Sequence, residues 1–207
     1  MIDYIKIFPQ TLGVKSLNYI PDTKVESWKE YIKSNDIFPI LLQQKYQEES
    51  KDFISNNQKL LDEPIFKHLK NKILEYSKEY VRELGITFED LQISTSWAYI
   101  AHSNNVKDNF HDHSNSLISG VFYLTKGGDL GFESSFYKDL TFETLPTSFS
   151  QAKKHQFQIK IKEKLLVLFP SYLLHGIMSN NTDYRISIPF NIIPKGEYGS
   201  IGRKLYL

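Results

Sequence analysis

The sequence predicts an α+β protein, a jelly roll or double-sheet barrel packed behind one or two helices. Three observations carry this. Residues 1–90 hold the helical periodicity, residues 91–193 break into about eight short runs of strand character, and turn formers separate those runs. No internal repeat or composition shift divides the chain. We read 1–207 as a single domain: a mainly helical support region (1–90), a barrel core (91–193) and a C-terminal tail (194–207).

The 207 residues suffice to bury a sizeable core, and 41% hydrophobic with 24% charged residues is ordinary for a globular chain. A net charge of +1 gives no electrostatic case for nucleic acid or an anionic membrane surface. Cysteine is absent, which excludes disulfides, thiolate zinc sites and cysteine nucleophiles and agrees with a reducing compartment. No apolar run approaches the roughly 20 residues that span a bilayer, and the N-terminus has no signal-peptide pattern. The expected location is the cytoplasm.

In order, residues 1–20 form an extended leading segment with Ile5, Ile7 and Val14 among turn formers. Pro21-Asp22-Thr23 opens a helix, where Thr23 and Glu26 make a capping-box pattern and Val25, Trp28 and Ile32 follow at helical spacing. Residues 35–62 are polar and weakly periodic. From Pro64 to Gly85 the residues Ile65, Phe66, Leu69, Ile73, Tyr76, Tyr80, Val81 and Leu84 draw one apolar stripe, with proline at the start and glycine just past the end. Ile93, Thr95, Trp97 and Tyr99 then alternate as a strand. Further strands are expected at Ser119–Leu124, Leu130–Glu133, Phe157–Ile161, Leu165–Phe169, Leu173–Met178 and Tyr184–Ile193. The unbroken apolar run Leu165–Phe169 asks for burial on both faces. Residues 134–152 are a long aperiodic loop, a candidate with 35–62 for shaping a substrate opening.

The residues with chemistry gather in the strand region. His111 and His113 are two apart, so in an extended chain both imidazoles project to one side and Asp112 turns away. Two imidazoles begin a metal site, and a third ligand must come from elsewhere. His68, His102 and His155 lie in polar surroundings and read as surface residues. His175 follows the apolar Phe169–Leu174 stretch, where an unpartnered imidazole is costly to bury; it is either a satisfied core histidine or a ligand. Ten residues on, Arg185, Ser187 and Asn191 share one face of a strand, with Ile186, Ile188 and Phe190 on the other. An inward arginine with a hydroxyl two residues away can grip a carboxylate. A surface ion pair is the plain alternative. A hairpin of the Leu173–Met178 and Tyr184–Ile193 strands would let His175 and Arg185 address one cavity.

Together, His111-Asp112-His113, Ser119-Gly120-Val121-Phe122-Tyr123-Leu124, Gly127-Gly128-Asp129-Leu130-Gly131-Phe132, Leu166 through His175 and Arg185-Ile186-Ser187-Ile188-Pro189-Phe190-Asn191 resemble the Fe(II)- and 2-oxoglutarate-dependent dioxygenases of the double-stranded β-helix fold. They are most similar to a small bacterial and phage branch with a His-x-His motif. The resemblance implies His111 and His175 as iron ligands. It implies Arg185, helped by Ser187, as the grip on the distal carboxylate of 2-oxoglutarate. By their placement on flanking strands Tyr99 and Tyr123 are candidates for a further co-substrate contact or are core tyrosines, and Asn191 is a candidate by sharing the Arg185 face. The resemblance also implies Fe(II), 2-oxoglutarate and dioxygen as the reagents, with succinate and carbon dioxide released as a substrate is hydroxylated. The family's usual third ligand is a carboxylate where this chain has His113. Either the metal set is His111, His113 and His175, or His113 stays off the metal and leaves an open or water-filled position, with Asp112 the substitute only if the strand is distorted.

Two rivals stand beside this reading. One is a cupin-like three-histidine dioxygenase that uses no 2-oxoglutarate, which would leave Arg185 and Ser187 without a task. The other is a non-catalytic module that senses 2-oxoglutarate or metal on the same barrel. The expected partner is a small-molecule, peptide or protein substrate, with no nucleic acid and no membrane; a homodimer is compatible with the sequence.

Overall fold

The computed structural model describes residues 10–34, 53–102, 110–133, 156–179, 182, 184–198, 202, 203, 205 and 206. The anticipated loop 134–152, residues 35–52, His155 and the leading Ile5 and Ile7 lie outside the described residues.

Two helices carry the support region. Helix α1 (Asp22–Ser34) buries Val25, Trp28 and Ile32, the stripe its spacing predicts. Its expected capping box does not form: Glu26 bonds forward to Lys29 at 2.8 Å, and the first turn closes on the Pro21 carbonyl. The long helix is preceded by a single 3-10 turn at Pro64–Phe66 and runs as α2 (Lys67–Glu83), burying Leu69, Ile73, Tyr80 and Val81. Gly85 at φ +71° ends it, with Gly85 N–H donating to Arg82 O and Ile86 N–H to Val81 O, a Schellman pairing that only a left-handed residue permits without strain.

The strands are β1 (Gly13–Ser16), β2 (Phe53–Ile54), β3 (Asp90–Ser96), β4 (Tyr99–His102), β5 (Ile118–Tyr123), β6 (Asp129–Glu133), β7 (Gln156–Lys160), β8 (Leu165–Pro170), β9 (Leu174–Ser179) and β10 (Tyr184–Lys195), followed by the short pair β11 (Glu197–Tyr198) and β12 (Leu205–Tyr206). A large sheet runs β1-β8-β5-β10-β4-β2, with β3 on the same edge of β10 as β4. A small antiparallel sheet, β7-β6-β9, accompanies it.

Period-two alternation explains the layers. Phe122, Leu166, Leu168, Ile186, Ile188, Phe190 and Ile192 join Trp28, Phe66, Leu69 and Ile73 in one core beneath the helices. Val121, Tyr123, Leu165, Val167 and Phe169 turn the other way and pack with Leu130 and Phe132 of the small sheet. Every residue of β5 and β8 is buried, as expected of strands sandwiched between helices and a second sheet.

Two expectations are corrected. The Ile93–Tyr99 strand is broken at Trp97-Ala98, and its pairing with β10 shifts register between Asn191 and Ile192. Strands β9 and β10 do not form a hairpin. β9 pairs with β6 in the small sheet and β10 belongs to the large one, so the chain crosses between sheets. The stretch from Ser179 to Tyr184 resembles a hairpin turn in composition, but the inner strand β10 already has β5 and β4 on its two edges.

Candidate metal and co-substrate site

His175 is the innermost element of the site. It sits on β9 opposite Phe132, 5% exposed, with the Phe169 ring centroid 4.4 Å from its own. Its Nδ1–H donates to the Leu173 carbonyl at 3.0 Å, which leaves the other ring nitrogen's lone pair free. Burial pushes its pKa down to about 3, so the ring is neutral, the form a metal requires.

A backbone bridge draws the second histidine in. His111 and His175 exchange N–H···O bonds of 3.0 Å, as in an antiparallel pair, and His113 N–H donates to Ser171 O at 2.9 Å. The three rings therefore meet, with centroids 5.2 Å apart for His111–His113, 4.5 Å for His111–His175 and 4.9 Å for His113–His175. Their ligand atoms all lie within 4.8 Å of one another. His111 is exposed at the mouth, His113 half-buried and His175 buried, so the cluster runs from solvent to core. Burial also lowers the His113 pKa, against the opposing hydrogen bond from Asn191. Asp112 is exposed and outside this group, so no distortion brings its carboxylate in.

The Arg185 face stands on β10 beneath them. Arg185 is 1% exposed and pairs with Ala101, while Ser187, 2% exposed, lies between Tyr99 on β4 and Tyr123 on β5. Directly paired residues of a sheet share a face, so the arginine, the serine and the two tyrosines point to the same side. The Arg185 guanidinium carbon is 5.8 Å from the Tyr123 ring centroid. Burial raises the Tyr123 pKa to about 12, opposed by Arg185, which keeps the phenol protonated and able to donate.

The guanidinium is underused. Its Nη1 reaches only the Gly127 carbonyl, at 3.5 Å, its Nε has no hydrogen-bond partner, and no described carboxylate forms an ion pair with it. An uncompensated buried cation costs several kcal/mol, roughly 3–5 when a partner is removed. An anion such as a carboxylate is the partner that these donors lack among the described residues, which is the fit expected for 2-oxoglutarate. Gly128, at φ +76°, lets the backbone pass close by: a Cβ there would meet the Ser179 carbonyl and lie 3.0 Å from Arg185 Nη1.

Of the residues singled out from sequence, His111, His113 and His175 converge, and Arg185, Ser187, Tyr99 and Tyr123 share the adjoining face. Asn191 is on that face too, but its amide is engaged by His113 and Thr95. Sequence reasoning did not single out Ser119, Thr95 or Ser171, which surround it; the inward phase of Ser119, two and four residues before Val121 and Tyr123, was the available signal. His102 is paired with Tyr184 on the sheet edge. A separate cavity of about 690 Å³ between β1 and the small sheet, lined by Leu12, Val14, Phe132, Phe157, Ile159 and Leu173 among others, includes none of the three histidines and neither Arg185 nor Ser187.

Comparisons with known proteins agree with this geometry. Residues 95–191 match a family model described as "Putative 2OG-Fe(II) oxygenase". No curated protein matches the chain. Among solved structures, it is similar to the non-heme α-ketoglutarate-dependent carbocyclase SnoK of nogalamycin biosynthesis, at 12% identity and TM-score 0.62 over 90% of this chain and 81% of that one. It is similar to a prolyl-4-hydroxylase of Pseudomonas putida, at 13% identity and TM-score 0.59 over 88% and 92%. It is also similar to HygX of Streptomyces hygroscopicus, solved with nickel, 2-oxoglutarate and hygromycin B bound, at 14% identity and TM-score 0.56 over 89% and 83%. At these identities the likeness is one of fold, here the double-stranded β-helix.

Proposed function

We propose that this chain is an Fe(II)- and 2-oxoglutarate-dependent oxygenase in which His111, His113 and His175 hold the iron while Arg185 and Ser187 fix the co-substrate, a reading supported by the family model matched over residues 95–191. The carrying observation is the buried Arg185 guanidinium, with its Nε unpartnered and no described carboxylate paired to it, on the β10 face whose Asn191 meets the three-histidine cluster. A cupin-like metal site without 2-oxoglutarate would leave that buried charge uncompensated.

When bound, iron would let dioxygen, the oxidant, draw two electrons from 2-oxoglutarate, which is decarboxylated to succinate and carbon dioxide, and two from a substrate C–H bond. The protein's own part is positioning. His175, held by Leu173 O and wedged against Phe169, presents a neutral nitrogen in a fixed direction. Arg185 and the hydroxyl of Ser187 bind the distal carboxylate, and Tyr123 offers a neutral phenol beside them. Phe169, Val121 and Val167 wall this region with apolar surface and exclude water. Hydroxylation of a small molecule, peptide or protein side chain is the outcome this reading expects, with exposed His111 on the side where substrate arrives.

Anaerobic titration of the Fe(II)-loaded protein with 2-oxoglutarate tests the reading. A visible charge-transfer band is expected as the keto acid chelates the iron. Iron demonstrably bound with no band would sink it, and a band with no succinate across a broad substrate screen would favour a sensor.

A further inference from the structure

The third ligand position is where this chain departs from the carboxylate expected of its relatives, and an imidazole there has a requirement that a carboxylate lacks. It must offer one particular nitrogen as a lone pair and hold the ring at one angle, which depends on the partner of its other nitrogen. For His175 a backbone carbonyl settles this. For His113 the partner is the side chain of Asn191, expected from the sequence as a co-substrate contact.

We propose that Asn191 is the positioning residue of His113, resting on the three-histidine reading above: its amide oxygen takes the Nδ1 hydrogen and leaves Nε2 for the metal. The Asn191 Oδ1 lies 2.6 Å from His113 Nδ1. A chain of hydroxyls fixes that oxygen in turn. Ser119 Oγ donates to Asn191 Oδ1 at 2.8 Å and stands 3.1 Å from His113 Nδ1, and Ser171 Oγ is 2.9 Å from Ser119 Oγ. On the far side Asn191 Nδ2 donates to Thr95 Oγ1 at 2.9 Å. Ser171 therefore satisfies Ser119, Ser119 and His113 share one amide oxygen, and the amide nitrogen is tied down by Thr95. No acid enters this network, so the support for His113 is neutral.

The backbone is arranged for it. Asn191 pairs with Ser119 on one side and Thr95 on the other, which puts all three side chains on the inner face. Directly after Asn191 the β3–β10 register shifts, with Ser94 left as the additional residue of β3. Bulges of this kind re-aim side chains beside active sites. His113 is meanwhile placed by its own N–H bond to Ser171 O, so ring and amide are brought together from independent elements.

Co(II) binding to the apoprotein, read by visible absorption and by competition with a chelator, tests this without turnover. Asn191→Ala is expected to weaken Co(II) binding by roughly 10–100-fold, the usual effect of losing an outer hydrogen-bond partner of a metal-bound histidine, and to alter the absorption bands. Asn191→Asp, which keeps an acceptor at the same place, is expected to restore tight binding. An Asn191→Ala protein with wild-type affinity and spectrum overturns the proposal. So does an Asn191→Asp protein as weak as the alanine variant, because the nitrogen end of the amide would then be what faces His113. Should Asn191→Ala fail to fold, Thr95→Val frees the amide from its far end; weaker Co(II) binding supports the proposal and unchanged binding overturns it. A wild-type protein that takes up no Co(II) refutes the metal-centre reading itself, which separates the two failures.

Discussion

Arg185 is a long cationic side chain held in the interior with most of its donors unspent, and its removal should be felt by the co-substrate before anything else. Arg185→Ala is expected to raise the dissociation constant for 2-oxoglutarate about 30-fold or more, equivalent to roughly 2 kcal/mol, while metal affinity in its absence stays within a few-fold; calorimetric titration of both ligands decides, and equal loss of both would make Arg185 structural. Arg185→Lys should recover little, since a point charge cannot reproduce the fork. His113 and Asp112 are neighbours with opposite exposure. Asp112→Ala is expected to leave metal affinity unchanged, and His113→Ala to cost more than the roughly 10–100-fold of an outer-shell loss. The reverse order, measured by chelator competition, would restore the carboxylate as ligand.

At the scale of elements, the site depends on a crossing between sheets. The Lys126–Asp129 turn brings Gly127 O under Arg185 and lets Gly128 pass the Ser179 carbonyl. Gly128→Ala would place a methyl against that carbonyl at a left-handed φ, so a destabilisation of about 1–3 kcal/mol is expected, together with weaker 2-oxoglutarate binding as Arg185 is displaced. Thermal melting and the co-substrate titration test it together; a variant with the wild-type melting temperature and affinity would show that the turn has slack. The helices contribute from outside the site. Lys29 of α1 lies between Glu26 and Glu163, at 2.8 and 3.0 Å, and Lys164 pairs with Asp22 at the start of α1, which fastens that helix to the β7–β8 turn. These contacts keep β8 and β5 in place beneath the histidines.

For the whole molecule, charge is the deciding quantity. The proposed ligand set is three imidazoles, with burial lowering the pKa of His113 and His175, and Arg185 adds a buried positive charge. Among the described residues no carboxylate belongs to the cluster. A dianionic co-substrate therefore answers both the metal and the arginine, and the two ligands should bind cooperatively. Saturating 2-oxoglutarate is expected to tighten Fe(II) or Co(II) binding about 5–150-fold, with the metal tightening 2-oxoglutarate by the same factor, and to slow removal of the metal by a chelator. Metal affinity indifferent to 2-oxoglutarate would mean that the charge is balanced elsewhere.

Much of this was readable from the chain. The helical stripe of Leu69, Ile73 and Tyr80, the period-two phase of β5, β8 and β10, and the inward set Arg185, Ser187 and Asn191 follow from local spacing, because helix and strand geometry dictate which side chains share a face. The set of three histidines could be named for the same reason, with a family resemblance supplying the task of Arg185. What local spacing could not supply was every relation that crosses from one element to another. That β9 leaves β10 for the small sheet depends on which edges are already paired. That His113 meets Asn191 depends on a register shift and on a turn bonded to Ser171. That Arg185 ends without an acid among the described residues depends on all the surfaces enclosing it. The sequence by itself determined the elements, their faces and the residues with metal chemistry, since these are properties of short-range periodicity. Only the tertiary structure decided which neighbour satisfies each buried donor, because that is fixed by packing among residues 50 to 100 positions apart.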